Sequence, residues 1–174
     1  MDTRRRQFLT LFSSALLGGT AIALMPGLRK GLIGSAASAD EVFEIVKTDA
    51  EWQKILSPEA FAVMRQQDTE HPGTSELLHE ARKGTFGCAA CDLPLYDAAM
   101  KFDSGTGWPS FFDHLPDAVG TTTDHFLGYG RTEVHCHRCG GHLGHVFEDG
   151  PQPTGLRYCM NGVSLQFHPK DGAA

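Results

Sequence analysis

Apolar and polar positions change period twice along this chain. Phe8 to Leu24 is an apolar-leaning run broken by small residues and glycine. After Thr48 the apolar positions return at helical intervals, and Trp52, Ile55, Leu56, Phe61 and Met64 would form one buried face. Thr48-Asp49-Ala50-Glu51 reads as a capping box, and Ser57-Pro58 as an N-cap followed by proline at the first helical position. Two short helices are therefore predicted, over 49–56 and 58–68. Beyond residue 83 the helical period is lost, and glycines punctuate a stretch rich in threonine, proline and aromatic residues. That pattern predicts a mainly β body of short antiparallel strands and tight loops, with the helices at its N-terminal side.

Composition narrows the picture. At 174 residues, 41% hydrophobic and 21% charged, the chain suits one folded body with a real core, not a disordered or multi-spanning protein. Residues 1–39 carry a formal charge of +4 and residues 40–174 carry −10. A body so acidic repels phosphate backbones, which argues against a nucleic-acid partner. In the basic segment, Arg5-Arg6-Gln7-Phe8-Leu9 precedes the apolar run and Ala37-Ser38-Ala39 supplies an A-x-A site. This looks like a twin-arginine export signal cleaved after Ala39, leaving residues 40–174 as the mature domain. A periplasmic or otherwise exported location is expected, with no stable membrane association after cleavage. An uncleaved membrane anchor is the alternative.

The five cysteines carry the sharpest chemistry. Cys88-x-x-Cys91 and Cys136-x-x-Cys139 are separated by 44 residues and each is followed by turn-forming residues. Two such knuckles suit a tetrahedral four-thiolate zinc site, structural because no position is left open for water. Disulfides and a redox-active C-x-x-C compete with this reading, although neither knuckle has the strand-then-helix setting of a thioredoxin motif. A local set using His142 and His145 with the second knuckle is a further alternative that leaves Cys88 and Cys91 unexplained.

Cys159 is the remaining thiol. In the segment after Leu156, Val163, Leu165 and Phe167 alternate with polar residues as in a half-buried strand. If that period runs back unbroken, Arg157, Cys159 and Asn161 face the same way. A neighbouring cation favours the reactive thiolate, and Asn161 could donate to an anion or substrate, which would suit a nucleophile. An inert buried cysteine is equally compatible with these residues.

The run Cys136-His137-Arg138-Cys139-Gly140-Gly141-His142-Leu143-Gly144-His145-Val146-Phe147-Glu148-Asp149, then Gly155-Leu156-Arg157-Tyr158-Cys159-Met160-Asn161, resembles the peptide-methionine (R)-S-oxide reductases, the B class of methionine sulfoxide reductase. Ser104-Gly105-Thr106-Gly107-Trp108-Pro109-Ser110-Phe111 and Cys88-Ala89-Ala90-Cys91 share the likeness, which spans residues 45–168. The resemblance implies a fold of two small antiparallel sheets with one structural Zn2+ on Cys88, Cys91, Cys136 and Cys139. It also implies a protein-repair oxidoreductase that relieves oxidative stress by reducing the R epimer of methionine sulfoxide in exported proteins. Such a reaction needs a nucleophile for the sulfur, an acid for the oxygen and an apolar wall for the S-methyl group. By resemblance Cys159 is the nucleophile, forming a sulfenic acid, and Trp108 is the wall. His142, His145, Asp149, Arg157 and Asn161 form the polar shell, with Asp149 expected to steady a proton-donating histidine. The remaining histidines, at 71, 79, 114, 125, 135, 137 and 168, read as solvated or structural. One departure stands out: many relatives carry a resolving cysteine where this chain has Thr106. The chain thus looks like the one-cysteine variety, dependent on an external, thioredoxin-like thiol reductant.

Overall fold

Both helices begin at the expected caps. In the computed structural model, which describes residues 42–124 and 130–170, α1 spans Asp49–Trp52 and α2 spans Pro58–Gln66. The Glu51 carboxylate reaches back to accept the Thr48 backbone N–H and hydroxyl, each at 2.8 Å. Ser57 Oγ accepts the Ala60 N–H at 3.1 Å. α1 is shorter than predicted. Residues 53–56 continue as tight turns, because Ser57 must leave the helical region to cap α2 ahead of Pro58. Trp52, Leu56, Phe61 and Met64 are buried as expected, joined by Ala60 and Val63, but Ile55 lies on this turn segment and is 55% exposed. α2 ends where Gln67 adopts a left-handed backbone.

Among the described residues nine strands follow, all paired antiparallel: β1 (Gly84–Cys88), β2 (Pro94–Asp97), β3 (Lys101–Phe102), β4 (Ser110–Phe111), β5 (Val119–Asp124), β6 (Arg131–Cys136), β7 (His142–Phe147), β8 (Arg157–Met160) and β9 (Leu165–Pro169). They form a three-stranded sheet, β2-β1-β9, and a six-stranded sheet, β3-β4-β8-β7-β6-β5. Aromatic rings join the two sheets. Tyr96 stacks on Phe111 at 4.3 Å, and Phe86 meets Phe111 edge-on at 5.0 Å. The Tyr96 hydroxyl donates to Met160 Sδ, so the core lies against one face of the large sheet.

The segment after Arg157 departs from the expected single strand. β8 stops at Met160, a 3-10 turn occupies Gly162–Ser164, and β9 joins the other sheet. Ser164 Oγ donates to the Asn161 carbonyl at 2.6 Å, and Gly162 sits where a Cβ would strike Ser75. The apolar alternation of Val163, Leu165 and Phe167 thus belongs to a different sheet from Cys159. The Arg5-Arg6 leader, the Ala37-Ser38-Ala39 site and His125 lie outside the described residues. No helix among the described residues is long and apolar enough to cross a membrane.

Candidate active site and metal centre

The two knuckles fold alike. After Cys88, the fourth residue on, Asp92, is left-handed and returns its N–H to the Cys88 carbonyl at 2.8 Å. After Cys136, Gly140 is left-handed and does the same at 2.9 Å. Gly140 is required twice over, by its φ of +65° and by the Phe43 ring that a Cβ would strike at 2.4 Å. The four sulfurs lie within 4.8 Å of one another, with Cys88–Cys139 at 3.7 Å and Cys91–Cys136 at 3.5 Å. A tetrahedron of metal–sulfur bonds near 2.3 Å needs sulfurs about 3.8 Å apart, so this donor set fits a metal ion. Disulfides do not fit, since all four cysteines are free and the sulfurs stand too far apart. The Cys139 carbonyl is held by Arg65 from α2, and the Cys91 carbonyl by Arg138.

Register assembles the second site. Ser110 pairs with Cys159, Cys159 with His145, His145 with Glu133, and Glu133 with Thr122. Residues directly opposite in antiparallel strands share a face, so these five side chains form one row across the sheet, away from the aromatic core. The next row carries Arg157, Phe147, Arg131 and Asp124. His142 and His145 are three apart, and in a regular strand they would point oppositely. Here His135 pairs with His142 while Val134 pairs with Gly144, so Leu143 is an extra residue in a β-bulge. The bulge turns both imidazoles to the same face, their rings 5.3 Å apart. It also takes the Leu143 carbonyl out of the ladder, where it accepts from Asn161 N, Asn161 Nδ2 and Ser164 Oγ.

The histidines are not steadied by Asp149. His142 Nδ1 is 2.7 Å from Glu133 Oε1, and His145 Nε2 is 2.9 Å from Asp124 Oδ2, which also accepts from Arg131. Asp149 instead grips Arg157 with two bonds of 2.8 and 2.9 Å, because the β7–β8 hairpin sets them side by side. That pairing lowers the Asp149 pKa and raises that of Arg157, whose guanidinium also lies over the Phe147 ring at 4.5 Å. Burial pushes the His145 pKa down, with Asp124 opposing. For Glu133 burial acts upward, but hydrogen bonds from His142 and Thr122 outweigh it and the carboxyl is held below its ordinary value. Cys159 is half-buried, with Thr106 Oγ1 3.8 Å from its sulfur.

Asn161 is buried, and its side chain faces the protein instead of an open site. Its Nδ2 donates to Leu143 O, and its Oδ1 accepts the Glu70 N–H at 3.0 Å. Glu70 in turn accepts the Trp108 indole N–H on its carbonyl at 2.9 Å and the Gly162 N–H on its carboxylate. Asn161 therefore helps position Trp108 through Glu70. Glu133, Asp124 and Glu70 escape the sequence reading. A carboxylate between Thr132 and Val134, three residues ahead of a knuckle, was the available signal for Glu133. Asp124 and Glu70 come from segments whose pairing is not encoded locally.

The SelR domain family matches residues 56–169. Peptide methionine sulfoxide reductase MsrB of Leifsonia xyli subsp. xyli is 53% identical over 131 residues, covering 74% of this chain and 94% of its own length. The protein of that name from Thiobacillus denitrificans is 55% identical over 126 residues, 72% of this chain and 96% of its own. Peptide methionine sulfoxide reductase B2, chloroplastic, of Arabidopsis thaliana is 44% identical over 173 residues, 95% of this chain and 81% of its own.

Proposed function

We propose that this chain, which belongs to the peptide methionine sulfoxide reductase B family defined by its SelR domain, reduces the R epimer of methionine sulfoxide in proteins, with Cys159 as nucleophile. The observation that carries the reading is the register pairing of Cys159 with His145, with Arg157 on the same face in the next row. The Cys159 thiolate attacks the sulfoxide sulfur. Its own sulfur is oxidised by two electrons to a sulfenic acid, the substrate sulfur is reduced to a thioether, and the oxygen passes to Cys159 with one proton. His142 and His145, held by Glu133 and Asp124, are the proton source. Arg157, fixed by Asp149, presents its guanidinium on the face that carries Cys159, and Trp108, held by Glu70, forms the wall for the S-methyl group.

With Thr106 beside Cys159 and four cysteines grouped for a metal, regeneration falls to an external, thioredoxin-like thiol. That thiol condenses with the sulfenic acid to a mixed disulfide with release of water, and a second thiol of the reductant then displaces Cys159 as a thiol while the reductant's own disulfide forms. Cys88, Cys91, Cys136 and Cys139 would hold Zn2+, which would supply a structural cross-link between the knuckles and leave the reaction to the side chains. The Arg5-Arg6 leader supports export by the twin-arginine route and repair of oxidised proteins in the periplasm.

The test compares wild type with Cys159→Ser on the two sulfoxide epimers of a blocked methionine. Reduction of the R epimer alone, abolished by the substitution, is expected. Equal activity on both epimers, or an active Cys159→Ser protein, would reject the proposal.

A further inference from the structure

Three hydroxyls run in a line behind the thiol. Thr106 Oγ1 lies 3.8 Å from Cys159 Sγ, Ser104 Oγ lies 2.8 Å from Thr106 Oγ1 and 2.8 Å from Ser110 Oγ, and Ser110 Oγ donates to the Trp108 carbonyl at 3.1 Å. Each hydroxyl has one proton and two acceptor lone pairs, so proton counting fixes the direction of the chain. When Cys159 is a thiol, four protons serve four contacts, each donated onward from the sulfur to the Trp108 carbonyl. When Cys159 ionises, three protons remain for four contacts. The chain must then leave either the sulfur or the carbonyl without a donor. A hydrogen bond to an anion is roughly twice as strong as one between neutral groups, so the sulfur wins. Trp108 itself is part-exposed, whereas Ser110 is fully buried.

We infer that Ser104, Thr106 and Ser110 form a reversible hydroxyl chain that turns round when Cys159 ionises and so stabilises the thiolate. The inference rests on Cys159 being the nucleophile and assigns these three residues as positioning residues. The charged and titratable groups around Cys159 are Arg157 with its partner Asp149 on and beside β8, and His145 on β7 with His142 beside it. Behind these histidines stand Asp124 and Glu133, and Asp103 lies in the loop that carries Ser104. None of these is altered in the variants below, so differences between variants belong to the hydroxyls.

The experiment follows alkylation of Cys159 by iodoacetamide from pH 5 to 10 in the metal-loaded protein, reading the Cys159 peptide by mass spectrometry. Thr106→Val keeps the shape of the side chain and removes the hydroxyl. It should move the midpoint up by about half to one pH unit and slow the reaction at pH 7 by about three- to tenfold. Thr106→Ser should restore the wild-type profile. Ser104→Ala, which removes no contact to the sulfur, should shift the midpoint the same way by a smaller amount. A Thr106→Val midpoint equal to wild type overturns the inference, as does a Thr106→Ser profile matching Thr106→Val. An unshifted Ser104→Ala profile shows Thr106 acting alone and rejects the chain. Alkylation needs no sulfoxide, so these outcomes are separate from the epimer assay that tests Cys159 as nucleophile.

Discussion

His145 shows how a single side chain can be held by a partner while its surroundings pull its pKa in two directions. Burial lowers its pKa, and the Asp124 carboxylate pulls the other way. Asp124→Asn should therefore lower the His145 titration midpoint further, measurable by NMR of the imidazole protons, and an upward shift would contradict this balance. The sign for stability follows from the same shift. A histidine whose folded pKa lies below the ordinary 6.5 stabilises the fold fully above that value and loses the contribution as pH falls below it. The melting temperature should decline from pH 7 to pH 5, and His145→Gln should flatten part of the decline. At this scale the sequence displays the residues proposed to react, because Cys159, Arg157, Trp108 and the two histidines sit in compact motifs. Their partners were harder to see. Asp149 is near both histidines along the chain, yet the hairpin delivers it to Arg157.

Helix starts and knuckles were legible because each is a local pattern of a few residues with its own hydrogen bonds. Strand ends were not. The alternation through Val163, Leu165 and Phe167 is real, but period two says nothing about which sheet a strand joins, and the turn at Gly162–Ser164 moves the chain from one sheet to the other. The close approach of β7 to β8 is equally silent in the sequence, though Gly144 hints at it. A Cβ there would stand 2.1 Å from the Cys159 carbonyl and 2.9 Å from the Met160 side chain. Gly144→Ala should cost about 1–3 kcal/mol, as forced overpacking does, and should reduce activity more than stability, since it pushes Cys159 away from His145. Thermal melts and R-sulfoxide turnover on the same sample would check this. Intact turnover in a destabilised protein would show that the pairing of these strands is not what activity needs.

For the whole molecule, the four-cysteine cluster gathers elements far apart in the chain. Cys88 ends a strand of the small sheet, Cys136 ends a strand of the large one, and α2 reaches the second knuckle through Arg65. Four thiolates gathered without their ion would repel or protonate, so binding and folding are coupled. Elemental analysis should give one zinc per chain, and chelation should unfold the β body. A metal-free protein that melts cooperatively at the same temperature would sink the structural role. The mainly β architecture was readable from lost helical period and glycine punctuation, whereas the assignment of strands to two sheets depends on contacts far apart in the chain. The bulge at Leu143 explains one more difficulty for a reader of sequence. A strand is a text read two letters at a time, and Leu143 shifts the reading frame by one. His-x-x-His is ordinarily the spacing of a helix face; inside a strand it becomes a pair only because one letter is skipped, and the skipped letter lends its carbonyl to the turn that follows Cys159.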